Sequence, residues 1–435
     1  MLRSGYLFMV VIFVLVSGRN EIQAQAGMPS RRVDQDRIEE RIQELAQFGR
    51  DSTGHGYRVA YTPADVAGRA WYMDQMRQTG LEVSIDAAGN LIGKRPGANP
   101  GLKPIAFGSH IDMVPDGGNY DGCVGSIAAL EVMDVLKENN IQTDHPLEIL
   151  IFSNEEGATY GSSFMAGHLG KEVLETVSQS GLTLYDGIKA IGGDPDHIQD
   201  AVRQKGDLAA FLELHIEQGA FLERDQIQIG VVSGIVGILQ WDVTITGMAN
   251  HAGTTPMNLR HDALLAAAKY IQAVNDVITS HDGTQVGTVG KISVQPGAYN
   301  VIPGKVITSL EIRDLNSDKI MMLFHEIEGR AAEIAKSSGV TITFKKVIGT
   351  TPALTDKGIQ DKIIASAQKL NLTYQVMPSG AGHDSQEIAT IAPVGMIFVP
   401  SVKGISHSPD EYTKPEDMAN GANVLLQTIL ALDKQ

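Results

Sequence analysis

The stretch that most limits what this chain can become runs from Phe107 to Gly125, FGSHIDMVPDGGNYDGCVG. Pro104 to Ser109 reads as a short buried strand, and Ser126 to Lys137 has helical apolar spacing, so a polar loop sits where a strand gives way to a helix. In open α/β sheets ligands bind at such carboxyl ends of strands. The loop brings His110, Asp112 and Asp121 together among four glycines that let the backbone double back. An Asp- and Gly-rich surface turn would read the same way, so the loop alone does not decide between a metal site and a solvated bend.

Repetition decides it. Glu148 to Ser153 (EILIFS) is a strand-like apolar block that runs into Asn154, Glu155, Glu156 and Gly157. Phe211 to Ile216 (FLELHI) delivers His215, followed by Glu217 and Gln218, and Val394 to Pro400 (VGMIFVP) leads to His407 in GISHSPDE. Four strand ends therefore each carry a histidine or carboxylate of the kind that binds divalent metal.

In chain order, Gln35 to Gln47 has helical spacing, and Thr62 with Pro63 supplies a cap and first turn for a helix through Arg77. Leu81 to Ile85 and Leu91 to Lys94 read as a hairpin about the turn AAGN. Alternating strands and helices through about Gly219 predict an α/β sandwich on a largely parallel sheet. From Gln240 the pattern becomes βαββαβ: strand 240–246, helix 263–277, strands 287–294 and 305–312, helix 317–336, strand 340–347. The expected organisation is a catalytic domain in two parts, 27–224 and 351–435, interrupted by an inserted ferredoxin-like domain over 225–350.

The motifs HID, NYDG, NEEG, LELHIEQG, NHAGTTPM, NVIPGK, EIRD, GAGHDS and GISHSPDE, in this order over nearly all of the chain after its first residues, resemble those of the amidase, hydantoinase and carbamoylase family of di-metal amidohydrolases. That family includes N-carbamoyl-L-amino acid hydrolase, β-ureidopropionase and allantoate amidohydrolase, and is related to the aminoacylase and carboxypeptidase G metallopeptidases. The resemblance implies two divalent ions, zinc or manganese. Asp121 would bridge them, with His110 and His215 on one and Glu156 and His407 on the other; which pair serves which ion stays open.

By the same resemblance Glu155 is the general base, taking a proton from a water whose pKa the metals lower. Asp112 would accept the second N–H of His110 and so set its tautomer. His251 is the candidate donor to an oxyanion. Arg313 offers a planar fork for a substrate carboxylate. Asn300, Gln218, His383 and the Gly382 backbone would hold the remaining polar atoms, and His383 has a rival reading as a metal ligand. The insert would act as lid and as the interface of a homodimer.

Asp121 follows His110 closely and the third strand ends in a histidine. Both features are similar to the amidohydrolase branch rather than the peptidase branch, so the expected reaction is hydrolysis of the C–N bond of a ureido or carbamoyl group on a small carboxylate. An aminoacylase or dipeptidase with the same metal chemistry is the alternative. A catalytically dead exported protein that holds a small anion is the reading from another class.

The 435 residues suffice for two domains, and 43% hydrophobic with 20% charged residues is the balance of a globular chain. A formal net charge of -16 leaves no basic surplus for nucleic acid. Arg3, the apolar run Tyr6 to Val16 and the small residues around Ala24 to Ala26 have the pattern of a secretory signal peptide over 1–26. Export without a stable membrane partner is the expectation, and an uncleaved anchor the alternative. Cys123 is the only cysteine, which excludes an intrachain disulfide and reads best as a small buried side chain at a helix start.

Overall fold

In the computed structural model, residues 32–434 apart from residue 53 are described, so the expected signal segment lies outside the described residues. Among the described residues sixteen strands follow in chain order: β1 (Glu82–Ile85), β2 (Leu91–Arg95), β3 (Ile105–His110), β4 (Leu147–Phe152), β5 (Ala210–Ile216), β6 (Ile229–Ile235), β7 (Gly237–Thr246), β8 (Asn250–His251), β9 (Val286–Thr288), β10 (Ile292–Gln295), β11 (Val301–Ile302), β12 (Lys305–Asp314), β13 (Thr341–Gly349), β14 (Ala353–Leu354), β15 (Tyr374–Ser379) and β16 (Val394–Val399).

Nine of them form one sheet in the order β1-β2-β4-β3-β5-β16-β6-β14, with β15 also on β6. The expectation of a largely parallel sheet needs correcting: the sheet is mixed. Only the central block β4-β3-β5-β16 and the β15-β6 pair are parallel, while β1, β2, β6 and β14 join antiparallel. The central block is what matters for the site. Its four strands are buried along their whole length, as strands covered on both faces must be. Their register sets His110 beside Phe152 and His215 beside Phe398, so their carboxyl ends finish side by side.

Local signals explain the helices that cover this sheet. Thr62 accepts from the Asp65 amide, Pro63 opens the helix Pro63–Thr79, and Gly80 closes it in the left-handed conformation. The helix Cys123–Glu138 starts three residues earlier than its apolar spacing suggested and is buried almost all round. It lies between the sheet and the first helix, Gln35–Leu45, which Arg37 ties to the fully buried Glu131 through Nε at 2.6 Å and Nη2 at 2.8 Å. The helices Lys357–Lys369 and Pro415–Leu432 complete this face and share one core with Ile105, Leu147, Ile149, Ile151 and Leu214.

The inserted unit has its own core. In it β7, β12, β13, β10 and β9 make an antiparallel sheet in the order β10-β12-β7-β13, with β9 also on β12. The helices Ala263–Ser280 and Ser317–Ser338 pack on it, and Trp241 stacks on Phe324 at 4.3 Å. This is the strand order expected of a βαββαβ unit, with its second strand split in two and a small hairpin, β8 with β11, added. The boundary expected at residue 225 moves: Ile229–Ile235 belongs to the large sheet, pairing with β15 and β16, so the insert begins at β7. A continuous apolar run next to a composition shift could not reveal which sheet would take it.

Candidate metal centre

Asp121 stands at the middle of the site. Its Oδ1 lies 3.1 Å from His215 Nε2 and 3.7 Å from His110 Nε2, while its Oδ2 lies 3.2 Å from His407 Nε2. His407 Nε2 is in turn 3.4 Å from Glu156 Oε2. The structure thus brings all five sequence-predicted ligands together as two triads sharing one carboxylate: His110, Asp121 and His215, and Asp121, Glu156 and His407. Within each triad the donor atoms lie within 4.8 Å of one another.

The local backbone explains the convergence. Gly122 has φ of 62° and its Cα faces the His110 ring so closely that an added Cβ would stand 2.3 Å from Nε2, so the chain can pass only without a side chain. Asn154, Gln218 and His407 also adopt left-handed φ, at 52°, 56° and 53°. Such conformations cost about 1–3 kcal/mol each and persist where the surrounding structure imposes them. Asn154 and Gln218 stand two residues beyond the ends of β4 and β5, and His407 lies in the loop that follows β16.

The electrostatics fit a cation. Among the described residues no Lys or Arg pairs with Asp121, Glu155 or Glu156, although these carboxyls crowd one pocket with Asp112 and Asp384. Burial, then repulsion from Asp384, Glu156 and Asp121, pushes the Glu155 carboxyl well above the usual range; burial and Asp121 do the same to Glu156. Glu156 Oε1 is buried without a hydrogen-bond partner. Burial also lowers His110 to about 4, which favours the neutral ring that a metal ligand needs, and lowers His383 well below the ordinary imidazole value. His215 moves the other way, to about 9, because Asp121 outweighs burial. A divalent cation is the group that lets such carboxylates ionise side by side.

Asp112 does not do what its position in HID suggested. His110 Nδ1 is held at 3.1 Å by the Asp112 backbone carbonyl, whereas the carboxylate is 3.8 Å from that nitrogen. Its two oxygens instead accept the backbone N–H groups of Glu155, at 3.3 Å, and Glu156, at 3.2 Å. The tautomer of His110 is still set from residue 112, but by main chain. The side chain holds the glutamate turn.

The residues expected to meet substrate are spread more widely. Gln218 Nε2 donates to Asp121 Oδ2 at 2.6 Å, and its Oε1 is buried without a partner. His383 is buried against the His215 ring, at 4.5 Å between centroids, and its Nε2 shares a hydrogen bond with Ser379 Oγ at 2.9 Å. Arg313 reaches across from the insert to donate to the Gly380 carbonyl at 2.8 Å, two residues before Gly382. His251 and Asn300 are exposed on the β8–β11 hairpin, where the Ala252 amide donates to the Asn300 carbonyl, and the single chain does not bring them to Asp121.

Sequence reasoning missed the supports. Buried Glu411 accepts the amides of Tyr120 and Asp121 on Oε1, at 2.8 and 3.0 Å, and Ser406 Oγ donates to both Asp121 and Glu411 at 2.9 Å. Glu213, one turn of the pleat below His215, accepts from Ser109 at 2.8 Å and from the Ser385 hydroxyl at 2.6 Å. Glu411 lies inside the stretch GISHSPDE, but an Asp-Glu pair after proline reads as solvated until the fold buries it. Cys123 is buried beside Arg58, with its thiol pushed up to about 11 by burial, in keeping with the packing role expected of it.

The sequence profile of peptidase family M20/M25/M40 matches residues 106–431. The chain is 39% identical over 402 residues to an N-carbamoyl-L-amino acid amidohydrolase of Geobacillus stearothermophilus, covering 91% of this chain and 98% of that one. It is 39% identical to a ureidoglycolate hydrolase of Oryza sativa subsp. japonica, over 93% of this chain and 86% of the relative. A crystal structure of an amidase of the hydantoinase/carbamoylase family from Burkholderia multivorans superposes with a TM-score of 0.87 at 34% identity, covering 94% of this chain and all of that one. The chain belongs to peptidase family M20/M25/M40 and, within it, to the hydantoinase/carbamoylase amidases, enzymes that hydrolyse carbon–nitrogen bonds.

Proposed function

We propose that this protein hydrolyses the C–N bond of a ureido or carbamoyl group on a small carboxylate, and that His110, His215, Glu156, His407 and a shared Asp121 would hold two divalent ions, zinc or manganese. The observation that carries this reading is the division of labour on Asp121: one oxygen faces His215 and His110, the other faces His407 beside Glu156. When bound, the ions supply Lewis acidity to a water and to the scissile carbonyl.

The chain's own groups move the protons. Glu155, with Oε2 3.6 Å from His110 Nε2, takes a proton from the attacking water and returns it to the leaving nitrogen. Asp112 positions Glu155 by accepting from its backbone N–H. Arg313 clamps the substrate carboxylate, with Gln218, His383, Asn300 and the Gly382 backbone around the other polar atoms.

His251 serves as the oxyanion donor in this reading. Its Nδ1 accepts from the amides of Gly253 and Thr254, at 2.9 and 3.2 Å, which leaves the proton on Nε2 ready to donate. Because the hairpin is exposed, His251 reaches a metal centre through closure of the insert or from a second copy, and a homodimer joined by the insert is the arrangement this calls for. Export through the segment 1–26 is part of the same proposal.

The test is ammonia release by metal-loaded enzyme from N-carbamoyl amino acids, N-carbamoyl-β-alanine and allantoate, with release of the free amino acid from N-acetyl amino acids as the contrast. Turnover of the ureido compounds that Glu155→Gln removes while metal content stays intact is the expected result. Turnover of the N-acetyl compounds alone sinks the proposal.

A further inference from the structure

A cavity of about 630 Å³ opens between the large sheet and the insert, lined by Gln218 and Arg313. Gln218 donates to Asp121, and Arg313 donates to the Gly380 carbonyl, so the cavity reaches from the guanidinium to a side chain that touches the metal-ligand cluster. The rest of its lining is mainly apolar. Phe221 comes from the large-sheet unit, Val286 from β9 of the insert, and Met377 and Phe398 from β15 and β16. Met377 and Phe398 are buried, but Phe221 and Val286 are 54% and 51% exposed, so two walls of one cavity present apolar side chains to solvent.

Among the described residues, the one carboxylate on these walls is already engaged. Both oxygens of Glu217 accept backbone amides, from Phe221 and Leu222 at 2.8 Å, so the carboxylate is turned into its own chain rather than offered to a ligand. The Arg224 guanidinium lies 5.0 Å from the centroid of the Phe221 ring, a contact that holds the ring in place on one side. The volume also exceeds what a carboxylate and a ureido group alone would fill.

We infer that Phe221, Val286 and Met377 form an apolar subsite that receives the side chain of the substrate, and that the chain prefers N-carbamoyl amino acids with large apolar side chains over ureido acids carrying hydrogen, hydroxyl or a second ureido group there. This inference rests on the ureido-acid reading above and deepens it. An extra ureido or hydroxyl group against Phe221, Val286 and Met377 would give up its water to apolar side chains that offer it no hydrogen bond. A leucine-sized side chain would instead cover Phe221 and Val286.

The experiment compares kcat/KM of the metal-loaded full chain for N-carbamoyl-L-leucine, N-carbamoylglycine and allantoate. The expected preference for the leucine derivative over the glycine derivative is about 10–200-fold, the range that apolar pockets achieve. Phe221→Ala and, separately, Val286→Ala each lower that leucine-to-glycine ratio, by about tenfold for the larger truncation. Equal losses on both substrates, or allantoate as the best substrate with the ratio unmoved in both variants, overturn the subsite while leaving the ureido reading intact. No ammonia from any of the three overturns that reading and the subsite with it.

Discussion

The two units of this molecule carry their polar residues in opposite ways. In the large-sheet unit His110, His215, His383, Asp121 and Asp112 are buried and each makes at least one hydrogen bond, and those of His215, Asp121 and Asp112 include partners from distant segments. In the insert His251 and Asn300 are exposed on a small hairpin, and Arg313 is half-buried at the seam. Burial among many partners makes a group's position a property of the core, whereas an exposed group on a hairpin depends on what comes to meet it. Chemistry that needs geometry fixed beforehand therefore belongs to the first unit, and recognition that can wait for a ligand belongs to the second.

The contrast breaks most sharply at Asp121. Asp121→Asn is expected to abolish turnover and remove bound metal, read by elemental analysis alongside ammonia release; an active variant with full metal content would end the bridging role. Glu155→Gln comes next, with a loss of about 10²–10⁴-fold in kcat while metal content is unchanged. In the insert the effect should move to KM: Arg313→Lys keeps the charge but loses the fork, for an expected rise of about 10–100-fold in KM with kcat held. A fall in kcat with KM unmoved would place Arg313 in the chemistry and erase the distinction drawn between the units.

The smallest effect is the most diagnostic of the support around Glu155. Asp112→Asn leaves one acceptor where two backbone N–H groups now find one each, so kcat should fall by about tenfold with both metals retained. If Asp112 acted mainly on His110, metal affinity would fall first. Titration of metal into the variant separates these outcomes.

Much of this was legible because the relevant signals are local. The cap residues Thr62 and Pro63 and four apolar runs that lead to polar donors all appear where short-range patterns place them. The five ligand positions followed from resemblance in the motifs that end those runs. What was not legible depends on partners far away in sequence. Glu411 is buried by contact with Tyr120 and Asp121, some 290 residues earlier. The allegiance of β6 to the large sheet rests on β15 and β16, more than 130 residues later. The carboxylate of Asp112 chose the Glu155–Glu156 turn over its neighbour His110 because two backbone donors, once buried, need an acceptor more than a histidine nitrogen already served by a carbonyl.

By itself the amino-acid order determined which residue types stand at the ends of the buried strands, because periodicity and turn chemistry act over a few neighbours. Tertiary structure alone decided how those ends meet: which oxygen of Asp121 faces which imidazole, which carboxylates lose water, and which side chains of the insert stay outside. Those outcomes depend on distances between segments hundreds of residues apart, and burial, which sets both the hydrogen-bond partners and the proton affinities, exists only after the sheet has closed over its helices.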